Sequence, residues 1–165
     1  MSLPKLLKST VKIRFQDCDP YNHLNNSRYV DYFMNAREDH VLDAYDLDVY
    51  RMGRDLGIAW VVAFNQIAYL RPAFLMEKVH ITSQVIKNTD SWMVVEFRMH
   101  NAETGALKTL MWTKYVHVDI QSGKSHKHSE ELMEMFEQVV LPVEADSFEE
   151  RLAVARKGQL ALSQS

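Results

Sequence analysis

A chain of 165 residues with 47% hydrophobic and 25% charged side chains is long enough to bury a core without disulfides or metal, and its balance is that of one globular domain. Its 19 basic and 22 acidic residues give a formal charge of −3, which argues against a nucleic-acid-binding role. The single cysteine, Cys18, excludes an intrachain disulfide framework, and no apolar run is long enough for a signal-peptide core or a membrane span, so a cytoplasmic protein without membrane attachment is expected.

Val11, Ile13 and Phe15 alternate with Lys12, Arg14 and Gln16, which predicts a half-buried strand over Thr10 to Phe15. A polar loop follows, with Asn25 or Asn26 as the cap of the next helix. Tyr29, Phe33, Ala36 and His40 fall at helical spacing and predict an amphipathic helix to about Tyr45. Asp46 to Leu56 suggests a second short helix closed by Gly57. From Ile58 the character turns to β. Strands are expected over Ile58 to Leu70, around Val79 to Val85, over Trp92 to Met99 and over Ala106 to Asp119. The last three are joined by short polar turns and should form antiparallel hairpins. Ser129 opens a helical stretch stopped by Pro142, and Phe148 to Leu162 predicts a C-terminal amphipathic helix that either caps the sheet or meets a neighbouring subunit.

The chemistry concentrates in the segment from Asp17 to Tyr29, which carries Asp17, Asp19, Asn22, His23, Asn25 and Asn26. A turn needs one or two Asx residues to bond its own backbone, so ordinary turn chemistry does not account for five of them and a histidine. A carboxylate at a strand end can serve as a general base or nucleophile. The N–H groups at a helix start can polarise a carbonyl.

The pattern Asp17-x-Asp19, then His23-x-Asn25-Asn26, then Tyr29 on a helix resembles the hotdog-fold acyl-CoA thioesterases of the 4-hydroxybenzoyl-CoA thioesterase-like group. Tyr69-Leu70-Arg71-Pro72 matches a second, less specific strand-end pattern of that family. The resemblance implies an α+β hotdog fold, a curved antiparallel sheet wrapped around a long central helix. The core then spans about 10–120 and a C-terminal helical extension about 129–162, together one thioesterase domain. It further implies hydrolysis of an acyl-CoA with water as acceptor, without metal or organic cofactor, by a homodimer or a tetramer of paired dimers.

By the same resemblance Asp19 is the catalytic carboxylate, as base or nucleophile. His23 orients Asp19, water or the carbonyl. Asn26 supplies a backbone N–H to the thioester carbonyl, caps the helix, or does both. The substrate-binding candidates are Asn25, Tyr29 and Arg71. Arg71 is read either as a contact to the phosphates of coenzyme A or as a partner for a carboxylate. Plant acyl-carrier-protein thioesterases place an asparagine two residues after the Asp, where this chain has Tyr21. Some bacterial relatives have a histidine where this chain has Asn26. Acyl-carrier-protein thioesters and a non-catalytic acyl-CoA sensor are the alternatives.

Asp17 is expected to bond loop amides, and Cys18, between two carboxylates, to be a buried inert thiol. Asp31, Glu38 and Asp39 on the helix are the second choice for the carboxylate. His126 and His128 read as a solvated loop rather than a metal site. Trp60, Phe64, Trp92, Met93, Met111 and Trp112 line either a pocket or the core, since strand register decides which face they take.

Overall fold

A computed structural model describes residues 2–158 and residue 160. Five antiparallel strands make one sheet: β1 (Leu7–Lys12), β2 (Ile58–Tyr69), β3 (Lys78–Asn88), β4 (Trp92–Asn101) and β5 (Leu107–Asp119), in the order β1-β3-β4-β5-β2. Four helices accompany it: α1 (Tyr29–Tyr45), α2 (Val49–Leu56), α3 (Glu130–Val139) and α4 (Phe148–Arg156). This is the expected α+β hotdog arrangement, with α1 held against one face of an antiparallel sheet.

Alternation on the strands explains the layering. On β4, Met93, Val95, Phe97 and Met99 face α1, whose Tyr29, Phe33 and Ala36 complete the main core with Val79, Ile81 and Val85 of β3. The rings of Phe33 and Phe97 pack 5.4 Å apart. Of the intervening residues Glu96, Arg98 and His100 are buried and Val94 half-buried, because α4 packs on the other face. Ile86, Leu110, Trp112, Phe148, Ala155 and Leu160 form a second cluster there. Both faces are therefore largely buried, although β3, β4 and β5 alternate apolar with polar residues: the second face carries Thr82, Gln84, Glu96, Arg98 and His100, buried polar groups that need partners there.

The termini of several elements follow from local chemistry. Asp48 caps α2 by accepting the Arg51 N–H at 2.9 Å, and Gly57, at φ 66°, ends it in the left-handed conformation that glycine adopts without a steric penalty. Ser129 and Ser147 cap α3 and α4.

Three expectations require correction. The first strand spans Leu7–Lys12 rather than Thr10 to Phe15, because Ile13 leaves the ladder to bond the 76–77 backbone and Phe15–Asp17 coils into a 3-10 turn. The α-helix proper begins at Tyr29, preceded by a separate 3-10 turn over Asn26–Arg28. The C-terminal helix closes at Arg156, and Leu162 lies outside the described residues.

Candidate active site

The loop from Cys18 to Leu24 is laced to the segment after β2. Leu24 N–H donates to the Ala73 carbonyl and Leu75 N–H to the Asn22 carbonyl, each at 2.8 Å. Asn22 takes φ 61°, a left-handed conformation that Asn tolerates better than most side chains. Asp19 organises this turn. Its Oδ1 accepts the backbone N–H of Tyr21 at 2.9 Å and of His23 at 3.1 Å, so one carboxylate oxygen is committed to the loop. Among the described residues Oδ2 accepts no hydrogen bond.

His23 reaches Asp19 through its backbone. Its ring packs edge-on against Phe74 at 5.0 Å, so the expected orienting contact from the imidazole to Asp19 is not made. Asn25 is the cap of the 3-10 turn: its Oδ1 accepts the Ser27 N–H at 3.0 Å and the Ser27 hydroxyl at 2.8 Å. Asn26 is therefore not the cap. Among the described residues its own N–H has no hydrogen-bond partner, as expected for the first residue of a turn of helix. Its carbonyl is held by the Tyr69 hydroxyl at 3.0 Å. Tyr69 was not among the candidate site residues, although it opens the Tyr69-Leu70-Arg71-Pro72 pattern, and its place in that pattern was the available signal.

Tyr29 is 1% exposed and packs edge-on against Tyr69, 5.1 Å between rings. Its hydroxyl accepts the Ala73 N–H at 3.2 Å, and burial pushes its pKa up, so it serves as a neutral wall rather than a base. Asp17 does not bond loop amides. Its carboxylate accepts the Tyr32 hydroxyl at 2.7 Å and faces the Arg28 guanidinium at 4.0 Å. Tyr32 is pushed up to about 12, by burial and then by that carboxylate. Cys18 is half-buried rather than buried. Burial, then Asp17 and Asp19, hold its thiol above the ordinary range, away from the thiolate.

A cavity of about 310 Å³ is lined by Asp19, His23, Leu24, Asn26, Tyr29, Tyr69, Leu70, Arg71 and Pro72. Five of the six candidates meet there, from the loop, the start of α1 and the end of β2. Asn25 stands outside and acts on the turn. Arg71 is exposed and makes no ion pair among the described residues, so the carboxylate partner considered for it is not found. The same residue lines a neighbouring cleft of about 490 Å³ together with Arg156 of α4.

Asp31 pairs with Arg28 at 3.3 Å, and Glu38 accepts the Tyr50 hydroxyl at 2.7 Å. Neither these nor Asp39 lines the Asp19 cavity. His128 is not solvated. It is 7% exposed, its Nε2 accepts the Trp60 indole N–H at 3.0 Å, and its ring stacks on His117 at 4.7 Å. Among the described residues no cluster of His, Cys, Asp and Glu has the geometry of a metal site, and no helix is long and apolar enough to cross a membrane.

A family model described as the thioesterase-like superfamily matches residues 13–136. This chain belongs to the thioesterase-like superfamily. With that membership it is a thioester hydrolase of the hotdog fold. It is 30% identical over 135 residues to the long-chain acyl-CoA thioesterase FadM of Escherichia coli strain K12, covering 81% of this chain and 99% of that protein. The crystal structure of the probable thioesterase YbaW from Escherichia coli is 27% identical, with a TM-score of 0.69, covering 82% of this chain and 99% of that one. The DHNA-CoA thioesterase of Staphylococcus aureus, 18% identical, has a TM-score of 0.73 and covers 94% and 97%. At that identity the likeness speaks for the fold alone. These matches assign the thioesterase-like chain at the superfamily level, and the narrower 4-hydroxybenzoyl-CoA thioesterase-like group is finer than they resolve.

Proposed function

We propose that this chain is a cytoplasmic acyl-CoA thioesterase that releases a free acid and coenzyme A without a metal or organic cofactor. The observation that carries the reading is the cavity joining Asp19, His23, Asn26, Tyr29 and Arg71. The unpaired Asn26 N–H at the start of the turn leading into α1 receives the thioester oxygen. Charge developing there is favoured by the helix dipole. Asp19 Oδ1 stays on the loop while Oδ2 takes a proton from water, which adds to the carbonyl carbon. The C–S bond then breaks and the sulfur leaves, accepting the proton. If Asp19 instead attacks directly, a mixed anhydride forms and water resolves it. His23 lines the cavity against Phe74, Asn25 and Tyr69 hold the Asn26 turn, and Arg71 faces the phosphates of the substrate.

The working unit is a homodimer. Strand β2 is an edge strand of twelve residues, IAWVVAFNQIAY, without a single charge or proline. Monomeric proteins blunt such edges with charges, prolines or bulges, and of these β2 carries only a register shift between Val62 and Phe64. Here Val61, Val62 and Phe64 are exposed along it, which suits a second copy paired edge to edge, with a dimer of dimers as the higher assembly.

Thiol release from a panel of acyl-CoA thioesters tests the reading. Turnover by the wild type, abolished in Asp19→Asn, is the expected result. Tight binding without turnover across the panel would make the protein a sensor. Single turnover in ¹⁸O-water, with mass analysis of the Asp19 peptide, identifies the nucleophilic route if the carboxylate is labelled, since only an anhydride opened at the aspartyl carbonyl places water oxygen there.

A further inference from the structure

A second cavity, of about 360 Å³, lies where the C-terminal half of α1 faces α2, α3 and the start of β2. Arg37 on its wall follows Tyr29 by eight residues along α1, a rise of roughly 12 Å, and the cavity shares no lining residue with the Asp19 pocket, yet it lies within the reach of a long acyl chain. The lining is largely apolar, with Met34, Val41, Trp60, Met93, Met135 and Phe136 among its residues. Two charged side chains interrupt it, Arg37 and Glu38, and Glu38 is engaged by the Tyr50 hydroxyl at 2.7 Å.

Arg37 is the anomaly. Its Nη1 donates to Ser83 Oγ at 3.1 Å, and it makes no ion pair among the described residues. The other sheltered arginines, Arg98 and Arg151, share the Glu96 carboxylate. Burial draws the Arg37 pKa down, opposed by the phenols of Tyr115 and Tyr45 rather than by any carboxylate. Arg37 is half-buried, and a cation partly withdrawn from water beside an apolar wall is stabilised by an anion, whose carboxylate the planar guanidinium fork matches.

We propose that this cavity binds an alkyl chain ending in a carboxylate, with the chain along the apolar wall and the carboxylate on Arg37. Two ligands carry that chemistry: a free fatty acid, and an acyl group with a second carboxylate at its far end. The size suits either, since small-molecule pockets run from roughly 300 to 1,000 Å³.

Calorimetric titration of dodecanoate and dodecanol into the full-length protein tests the proposal independently of catalysis. Wild type and Asp19→Asn should bind dodecanoate alike. Arg37→Met should weaken dodecanoate at least tenfold and dodecanol less than twofold, while Arg37→Lys keeps most of the preference for the acid. Met135→Trp, which fills the cavity without changing charge, should block both ligands. Thermal melts show that each variant is folded. Unchanged dodecanoate affinity in Arg37→Met or Met135→Trp would overturn the proposal, as would loss of binding in Asp19→Asn. The source follows from thiol release on the mono-CoA thioester of a long dicarboxylic acid beside its monocarboxylic counterpart. Selective loss in Arg37→Met assigns the carboxylate to the acyl group. Equal rates, with dodecanoate binding lost, assign it to the free acid.

Discussion

Asp19 and His23 clamp each other through the backbone. The His23 N–H donates to Asp19 Oδ1 at 3.1 Å, and the Asp19 N–H donates to the His23 carbonyl at 2.8 Å. This closes the loop while leaving the imidazole against Phe74. Asn at position 19 retains an oxygen for that clamp, whereas Ala removes it. Asp19→Asn should therefore keep the melting behaviour of the wild type and lose about 10²- to 10⁴-fold in kcat. Asp19→Ala should lose the same activity and also about 1 kcal/mol of stability. Thiol release and urea titration, run on both variants, check the pair. His23→Gln should reduce kcat less than tenfold, because the ring touches Phe74 and not the carboxylate.

Arg71 is exposed at the mouth of the cavity with no carboxylate paired to it among the described residues. If it meets the phosphates, Arg71→Ala should raise KM for a CoA thioester several-fold and leave KM for the matching N-acetylcysteamine thioester, which has no phosphate, unchanged. An equal rise on both substrates would count against that role.

The uncharged edge of β2 makes the oligomeric state a point of attack. Phe64→Lys places a charge at the middle of the strand, where the side chain is 48% exposed and contributes little to the monomer core. Sedimentation should show a shift from dimer to monomer with the circular dichroism spectrum retained. A wild type that sediments as a monomer would remove the edge-pairing proposal.

Glu96 ties α4 to the sheet. Its side chain is fully buried, accepts two hydrogen bonds from Arg151 at 2.8 Å each and one from the Trp112 indole at 2.8 Å, and faces Arg98 at 3.6 Å. Removing one partner of a buried pair leaves an uncompensated charge. Arg151→Ala should therefore cost about 3–5 kcal/mol in urea unfolding, softened by Arg98, with specific activity of the folded fraction preserved. Loss below 1 kcal/mol would mean that α4 is held by its apolar contacts alone.

Stability should fall on mild acidification. Burial, aided by Arg37 and Arg98 respectively, pushes His40 and His100 down to about 4. The unfolded chain protonates these groups near 6.5, before the folded one does. Their contribution is thus complete above that pH and is lost as pH falls from about 6.5 towards 4, by up to roughly 1.4 kcal/mol per pH unit for each group. His40 also bonds Ser83 and Ser9, at 2.8 and 2.9 Å. Urea midpoints between pH 7 and 4.5 should decline, and His100→Asn should decline less steeply than the wild type.

The sequence by itself determined the order of elements, the antiparallel hairpins of β3, β4 and β5, the end of α1 at Tyr45 and the stop at Gly57. Each is written in local periodicity or in a single residue's conformational preference. The loop from Asp17 to Tyr29 stood out for the same reason, as a density of polar side chains that a turn does not need. Only the tertiary structure decided what those residues touch. Asp17 turned from the loop to Tyr32 on α1, Tyr69 reached from the end of β2 to brace Asn26, and His128 left solvent to accept a bond from Trp60. Glu96 met Arg151 across 55 positions of chain, and Arg37 was left half-buried beside an apolar cavity with no anion paired to it among the described residues. These contacts join segments far apart in sequence, and their energies depend on which groups are removed from water together, which no local pattern records.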